Sequence, residues 1–176
     1  MTDTTTERPT GRPTARLTGT TAAHPTAILR RSDDLPFVDA GDGTHLQVLQ
    51  VDLAAGVWTL RTRFEPGTTI RTHRHTGAVH AFTLAGRWHY LEYPDDVNEA
   101  GSYLFEPAGS VHTLHVPADT DGPTDGVFIS HGANQTLDDA GEVVSVTDAH
   151  SVLRVYRSLC GQQHGVDDPP VVVHGA

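Results

Sequence analysis

The run Pro66-Gly67-Thr68-Thr69-Ile70-Arg71-Thr72-His73-Arg74-His75 sets two imidazoles two positions apart. In an extended strand alternate side chains project from the same face, so His73 and His75 converge on one point while Arg74 points away. A second run, Gly101-Ser102-Tyr103-Leu104-Phe105-Glu106-Pro107-Ala108-Gly109-Ser110-Val111-His112, ends in a third histidine just after a Pro-x-Gly turn. Three imidazoles aimed into a small β-barrel make a metal site. That requirement constrains the fold more than any other feature of the chain.

The pattern around these runs agrees. From Phe37 onward short β-rich stretches alternate with turn signals. Strands are expected over His45–Val51, Val57–Phe64, Thr69–His75, Ala78–Leu84, Arg87–Tyr93, Ser102–Glu106, Val111–Val116, Gly126–Ser130 and Glu142–Val146. Ala85-Gly86 reads as a tight hairpin, and Pro94-Asp95-Asp96 and Asp119 to Asp125 as polar loops. So many short strands at this spacing predict an antiparallel barrel or double-sheet sandwich. Phe82, Leu84, Trp88, Leu104, Phe105 and Phe128 read as core. Asp148 to Cys160 is the exception: Ala149, Val152, Leu153, Tyr156 and Leu159 fall at helical spacing, with Asp148 as N-cap and Gly161 as stop. Residues after Gly165 read as a tail. Residues 1 to about 26 are rich in Thr, Pro, Arg and Gly and bury too little apolar surface to offset ordering, although Ala22–Arg31 is readable as a short helix against Pro25. The expected organisation is an irregular segment over 1–33, a barrel over 34–147, and a helix and tail over 148–176.

Composition narrows the chemistry. All 12 basic residues are arginine, so lysine Schiff bases, pyridoxal phosphate attachment and P-loop lysines are excluded. The single Cys160 excludes an intrachain disulfide and a cysteine-ligated cluster within one chain, whereas 12 histidines leave imidazole as the metal ligand at hand. A formal charge of −10 argues against nucleic acid or an anionic membrane as partner. With no bilayer-length apolar run and no signal-peptide pattern at the start, a cytoplasmic protein is expected.

The two histidine runs match the paired signature motifs of the cupin superfamily in spacing and order: Gly67, five residues, His73-x-His75, then Gly86; and Gly101, five residues, Pro107-x-Gly109, two residues, His112. The resemblance implies an all-β, single-domain cupin, a double-sheet β-barrel of jelly-roll type, here with a short C-terminal helix. The usual first motif carries a Glu three or four residues after the second histidine, where this chain has Val79 and His80. Three readings follow. The site has three neutral ligands; or His80 replaces the Glu; or Glu92, from the next strand, joins as a fourth ligand. The first is favoured, with Glu92 as an addition; for His80 a barrel-lining hydrogen-bonding role is favoured over ligation.

More specifically, residues from His73 to Glu92 and from Ala100 to Leu114 are similar to the dihydroxyacetophenone dioxygenase and acetylacetone-cleaving dioxygenase families, over roughly Leu35 to His150. The resemblance implies non-haem Fe(II) held by His73, His75 and His112, with Zn or Ni as alternatives in the isolated protein, and cleavage by O2 of a carbon–carbon bond next to a ketone. It places Glu106 where a carboxylate supports the ligands from outside. Glu106, His80 and Arg87 are the catalytic candidates, and Arg87, Tyr90 and Tyr103 candidates for the pocket wall. Three neutral imidazoles leave a divalent ion its full charge, which favours an anionic chelator such as the enolate of a hydroxyketone or β-diketone. Two other classes share the fold: a metal-dependent isomerase, cyclase or lyase working on the same enolate without O2, and a zinc-binding sensor without catalysis. The expected partners are a small ketone substrate, O2, and a second copy of the chain in a homodimer.

Overall fold

The computed structural model describes residues 26–175. It is built almost wholly of strands, with one helix near the end, as the alternation predicts. In chain order the strands are β1 (Val38–Gly41), β2 (Thr44–Asp52), β3 (Val57–Phe64), β4 (His73–His75), β5 (Val79–Ala85), β6 (Arg87–Tyr90), β7 (Tyr93–Glu99), β8 (Tyr103–Glu106), β9 (Val111–His112), β10 (Leu114–His115), β11 (Thr124–His131), β12 (Asn134–Leu137) and β13 (Val143–Thr147), followed by helix α1 (Ala149–His164) and β14 (Val172–His174). Seven strands form one sheet in the order β1-β2-β3-β11-β5-β8, with β14 on β2; β10-β6-β7 and β13-β12-β4-β9 form two smaller sheets. All three sheets contribute side chains to one cavity.

Several departures from the sequence expectation have physical reasons. Ala85-Gly86 is a corner: β5 pairs with β11 and β8, whereas β6 pairs with β10 and β7, so the chain changes sheet at Gly86. Gly86 has φ of +73°, and a Cβ there would stand 2.7 Å from the Cα of Thr124; both the bend and the close approach require glycine. The expected strand Arg87–Tyr93 breaks at Leu91-Glu92, and the stretch read as a polar loop continues as β7. That strand is mostly exposed and sits at a sheet edge, where a proline is tolerated and no apolar alternation is needed. Phe82, Leu84 and Phe105 are exposed rather than core, because Val79, Ala81 and Thr83 take the inward positions of β5, and Leu104 and Glu106 those of β8. Trp88 is buried, and Leu104 and Phe128 pack against its cluster.

Helix α1 begins at Asp148, whose side chain accepts from Ser151 N–H while the Ser151 hydroxyl accepts from Asp148 N–H. It passes through Gly161 and ends at Gly165. One glycine costs a helix only about 1 kcal/mol. Here the last turn is held from outside: Gln163 bonds both backbone groups of Asp39, and His164 bonds Phe37 O. Ala149, Val152, Leu153, Tyr156 and Cys160 share a core cluster with Leu35, Val38, Val48, Val51 and Trp58. The segment read as a tail instead adds β14 in parallel to Gln50–Asp52 of β2. Residues 26–31 form no helix; the rest of the helix read over Ala22–Arg31, and most of the irregular segment, lie outside the described residues. Among the described residues no helix is long and apolar enough to cross a membrane.

Leu153 is 6% exposed inside the helix cluster, whereas Val155 on the same helix is 51% exposed. Leu153→Ala should lower the unfolding free energy by about 2–4 kcal/mol, and Val155→Ala by less than about 0.5 kcal/mol. Urea unfolding followed by circular dichroism checks both.

Candidate metal centre

Strand β4 lies between β12 and β9. Its register sets His73 directly opposite His112 on β9, and His75 opposite Asn134 on β12. The turn that precedes β9 is tied to the end of β4: Gly109 N–H donates to His75 O at 2.7 Å, and His75 N–H donates to Ser110 O. That turn needs φ of +87° at Gly109, the glycine of the Pro-x-Gly motif. The second motif is therefore a clasp that fixes the third histidine against the first two.

His73, His75 and His112 are all at least nine-tenths buried, and one ring nitrogen of each lies within 4.8 Å of the others. Their ring centroids are 4.7–5.2 Å apart. His73 Nδ1–H donates to Arg71 O at 2.8 Å, which leaves the Nε2 lone pair free. Glu106, 4% exposed, comes from β8, and its Oε2 lies 3.1 Å from His75 Nε2 and 3.3 Å from His112 Nε2. Neither Glu106 Oε2 nor His112 Nε2 gains an aligned hydrogen bond from this proximity. Tyr90 donates its hydroxyl proton to Glu106 Oε1 and stacks its ring on His112, with centroids 3.9 Å apart.

The electrostatics define what the cluster lacks. Burial lowers the pKa of His73, and lowers that of His75 to about 4 against the opposing pull of Glu106. Burial opposes ionisation of Glu106, but His112, Tyr90 and His75 together hold its carboxyl below the usual range. Burial, then the carboxylate, pushes the Tyr90 phenol up, so it stays a donor. The centre thus holds a buried anion whose Oε2 lies between His75 and His112 and pairs with no arginine among the described residues. Buried charges are paired or coordinate metals. A divalent first-row ion fits the three imidazole donors with that anion beside them.

The remaining candidates stand elsewhere. Val79 occupies the inward position where the missing Glu was sought, directly opposite Glu106 in the ladder, so the carboxylate arrives from the neighbouring strand. His80 faces the other side of the sheet and bonds Tyr103 through Nδ1 at 2.8 Å. Arg87 pairs with Asp119 at 2.6 Å. Glu92 accepts from both the backbone N–H and the hydroxyl of Thr113. These bonds hold it outside the histidine cluster and, against a desolvation that raises it, keep its pKa below normal.

The cavity beside the cluster measures about 180 Å3 and is mostly apolar, with Leu46, Trp58, Leu60, Phe64 and Phe128 among its walls. Its polar walls include Thr62, Ser130 and Asn134, and the Oδ1 of Asn134 is buried without a partner. The motif spacing singles out neither Ser130 nor Asn134. Pairing of β12 with β4 brings Asn134 in, and a four-residue strand of intermediate burial has little sequence signature.

Residues 25–135 match the family model described as the ChrR cupin-like domain, and the chain belongs to that cupin family. A protein of unknown function with a cupin-like fold from Ralstonia eutropha JMP134 is 31% identical, with 88% of this chain and 97% of that one covered at a TM-score of 0.80. An acetylacetone dioxygenase from Acinetobacter johnsonii shares the fold at 19% identity, 77% and 94% coverage and a TM-score of 0.68. A putative acetylacetone dioxygenase from Methylibium petroleiphilum PM1 does so at 16% identity, 77% and 97% coverage and a TM-score of 0.67. No curated protein matches the chain.

His75 stays neutral in the folded metal-free protein down to about pH 4, whereas in the unfolded chain it gains a proton near 6.5. Between those values the unfolded state binds more protons, so stability falls as pH falls. The lowered Glu106 acts in the same direction at the acid end. Metal-free protein should therefore lose thermal midpoint steadily from pH 6.5 to 4, more steeply than a His75→Gln variant that still folds. Differential scanning calorimetry against pH reads this directly.

Proposed function

We propose that this chain is a mononuclear non-haem Fe(II) dioxygenase that cleaves a carbon–carbon bond next to a ketone, acting on an enolisable hydroxyketone or β-diketone. The observation that carries the reading is the buried three-histidine cluster with the buried carboxylate of Glu106 beside it, opening on a small apolar cavity. His73, His75 and His112 would hold the metal. Bound there, Fe(II) supplies Lewis acidity, coordination for an enolate chelate, and reactivity with O2.

The chain's own residues define the rest. Tyr90 ties up Glu106 Oε1 and leaves Oε2 without an aligned hydrogen bond, next to His75 and His112. Glu106 Oε2 takes the proton from the acidic carbon between or beside the carbonyls, and the C–H electron pair remains on the substrate as its enolate. The walls formed by Trp58, Leu60, Phe64 and Phe128 exclude water from the carbanion-like product and select an apolar flank. Ser130 and Asn134 offer polar contacts for a substrate oxygen. The cavity volume suits a small diketone or a single-ring aromatic ketone.

Protein purified under nitrogen and reconstituted with Fe(II) should consume O2 with a β-diketone or an aromatic hydroxyketone, one O2 per substrate cleaved. Turnover without O2 in the Zn(II) form would place the chain with the isomerases and lyases. Tightly held metal with no turnover of any such ketone would place it with the sensors. Glu106→Gln should retain iron yet lower kcat/KM by about 10²–10⁴-fold; a Glu106→Gln protein with unchanged kcat/KM contradicts the proton-acceptor role.

A further inference from the structure

Strand β5 is apolar on both of its faces. Val79, Ala81 and Thr83 are buried inside, while Phe82 and Leu84 project outward and are 44% and 50% exposed. The next strand continues the surface: Tyr103 pairs with Phe82 and Phe105 with His80, and these aromatics are 55% and 51% exposed. On the other side β11 brings Val127 opposite Phe82 and Ile129 opposite His80. The result is one contiguous face across β11, β5 and β8, with ring centroids 5.2 Å apart for Phe82–Tyr103 and 5.4 Å for His80–Phe105. A strand with apolar side chains on both faces is the pattern of a strand covered on both faces.

The other half of this sheet's outer surface is covered by the chain itself. Gln47 of β2 bonds the carbonyls of Ser32 and Leu35, and the Phe37 ring lies over Arg61 and Arg63 of β3. Nothing among the described residues covers the aromatic half. Residues 1–25 are a poor match for it, since Met1 and Leu17 are their only large apolar side chains.

We infer that this aromatic face is the contact surface for a second copy of the chain. Charge argues for that occupant. The chain carries a formal charge of −10, so most ways of bringing two copies together oppose carboxylates. The outward side chains of β5 and β8 contain none, and Asp125, which borders the face on β11, is neutralised by Arg61 and Arg63. Area argues the same way. A fully buried aromatic side chain covers roughly 150–250 Å2, so half-exposed Phe82, Tyr103 and Phe105 with their aliphatic neighbours present roughly 400–500 Å2. A standard dimer buries about 800 Å2 per partner, a little over half of it apolar. The face thus supplies the apolar centre of one such interface, independently of the chemistry at the metal centre.

Sedimentation velocity on the full chain tests this. Wild type should run as a species of twice the 18.9 kDa chain mass. The Phe82→Asp/Phe105→Asp variant should run as monomer, with unchanged circular dichroism and metal stoichiometry. The milder Phe105→Ser should weaken association at least about ten-fold. Val144→Asp, at an exposed apolar position outside the face, should leave the dimer intact. A wild type that is monomeric at every concentration, an aspartate double variant that still dimerises, or a Phe105→Ser variant that associates as tightly as wild type would overturn the inference.

Discussion

The pairing of β4 with β9 is the constraint on which the centre depends. Its register puts His73 and His112 directly opposite each other, and the alternation within β4 adds His75 to the same face. Everything else holds that pairing in place. The Gly109 turn clasps the end of β4, and β12 flanks its other side. Burial lowers the pKa of His73 and of His75, which favours their neutral, metal-binding forms. Ring nitrogens of three histidines gathered beside a buried carboxylate suit a cation.

The carboxylate is where the structure most changes the chemical reading. Val79 at the usual position suggests a centre with no anionic ligand. The ladder between β5 and β8 returns a carboxylate to the same place from the opposite strand, as Glu106. A divalent ion held there would keep less than its full charge in the field of that anion. In the proposed reaction Glu106 would receive the substrate proton on Oε2, because Tyr90 fixes its other oxygen. Tyr90 also packs on His112, so one side chain orients both the carboxylate and a histidine of the cluster.

Much of this was legible in the residues. The two-residue histidine spacing, the Pro-x-Gly turn and the alternating runs reveal the three clustered histidines and most strands, because each is a local signal with a strict period. Three kinds of element were not legible. Edge strands such as β7 carry polar side chains on most positions and look like loops. β12 and β14 owe their extension to the strands they join, not to their own pattern. The parity of β5 could not be read because both of its faces are apolar, which also made Phe82 and Leu84 look like core, and Phe105 on β8 belongs to the same outer face. Hydrogen bonding, not spacing, decided the positions of Glu92 and His80. The family resemblance already pointed to Glu106 as the supporting carboxylate, and the register of β8 on β5 sets its Oε2 between His75 and His112.

The most direct test of the account is a crystal structure of protein loaded anaerobically with Fe(II), with anomalous scattering recorded at the iron edge. The account predicts a single strong peak about 2.0–2.2 Å from one ring nitrogen each of His73, His75 and His112, with Glu92 still bonded to Thr113. A peak ligated by Glu92 or by His80, or no peak among the three histidines, would contradict it.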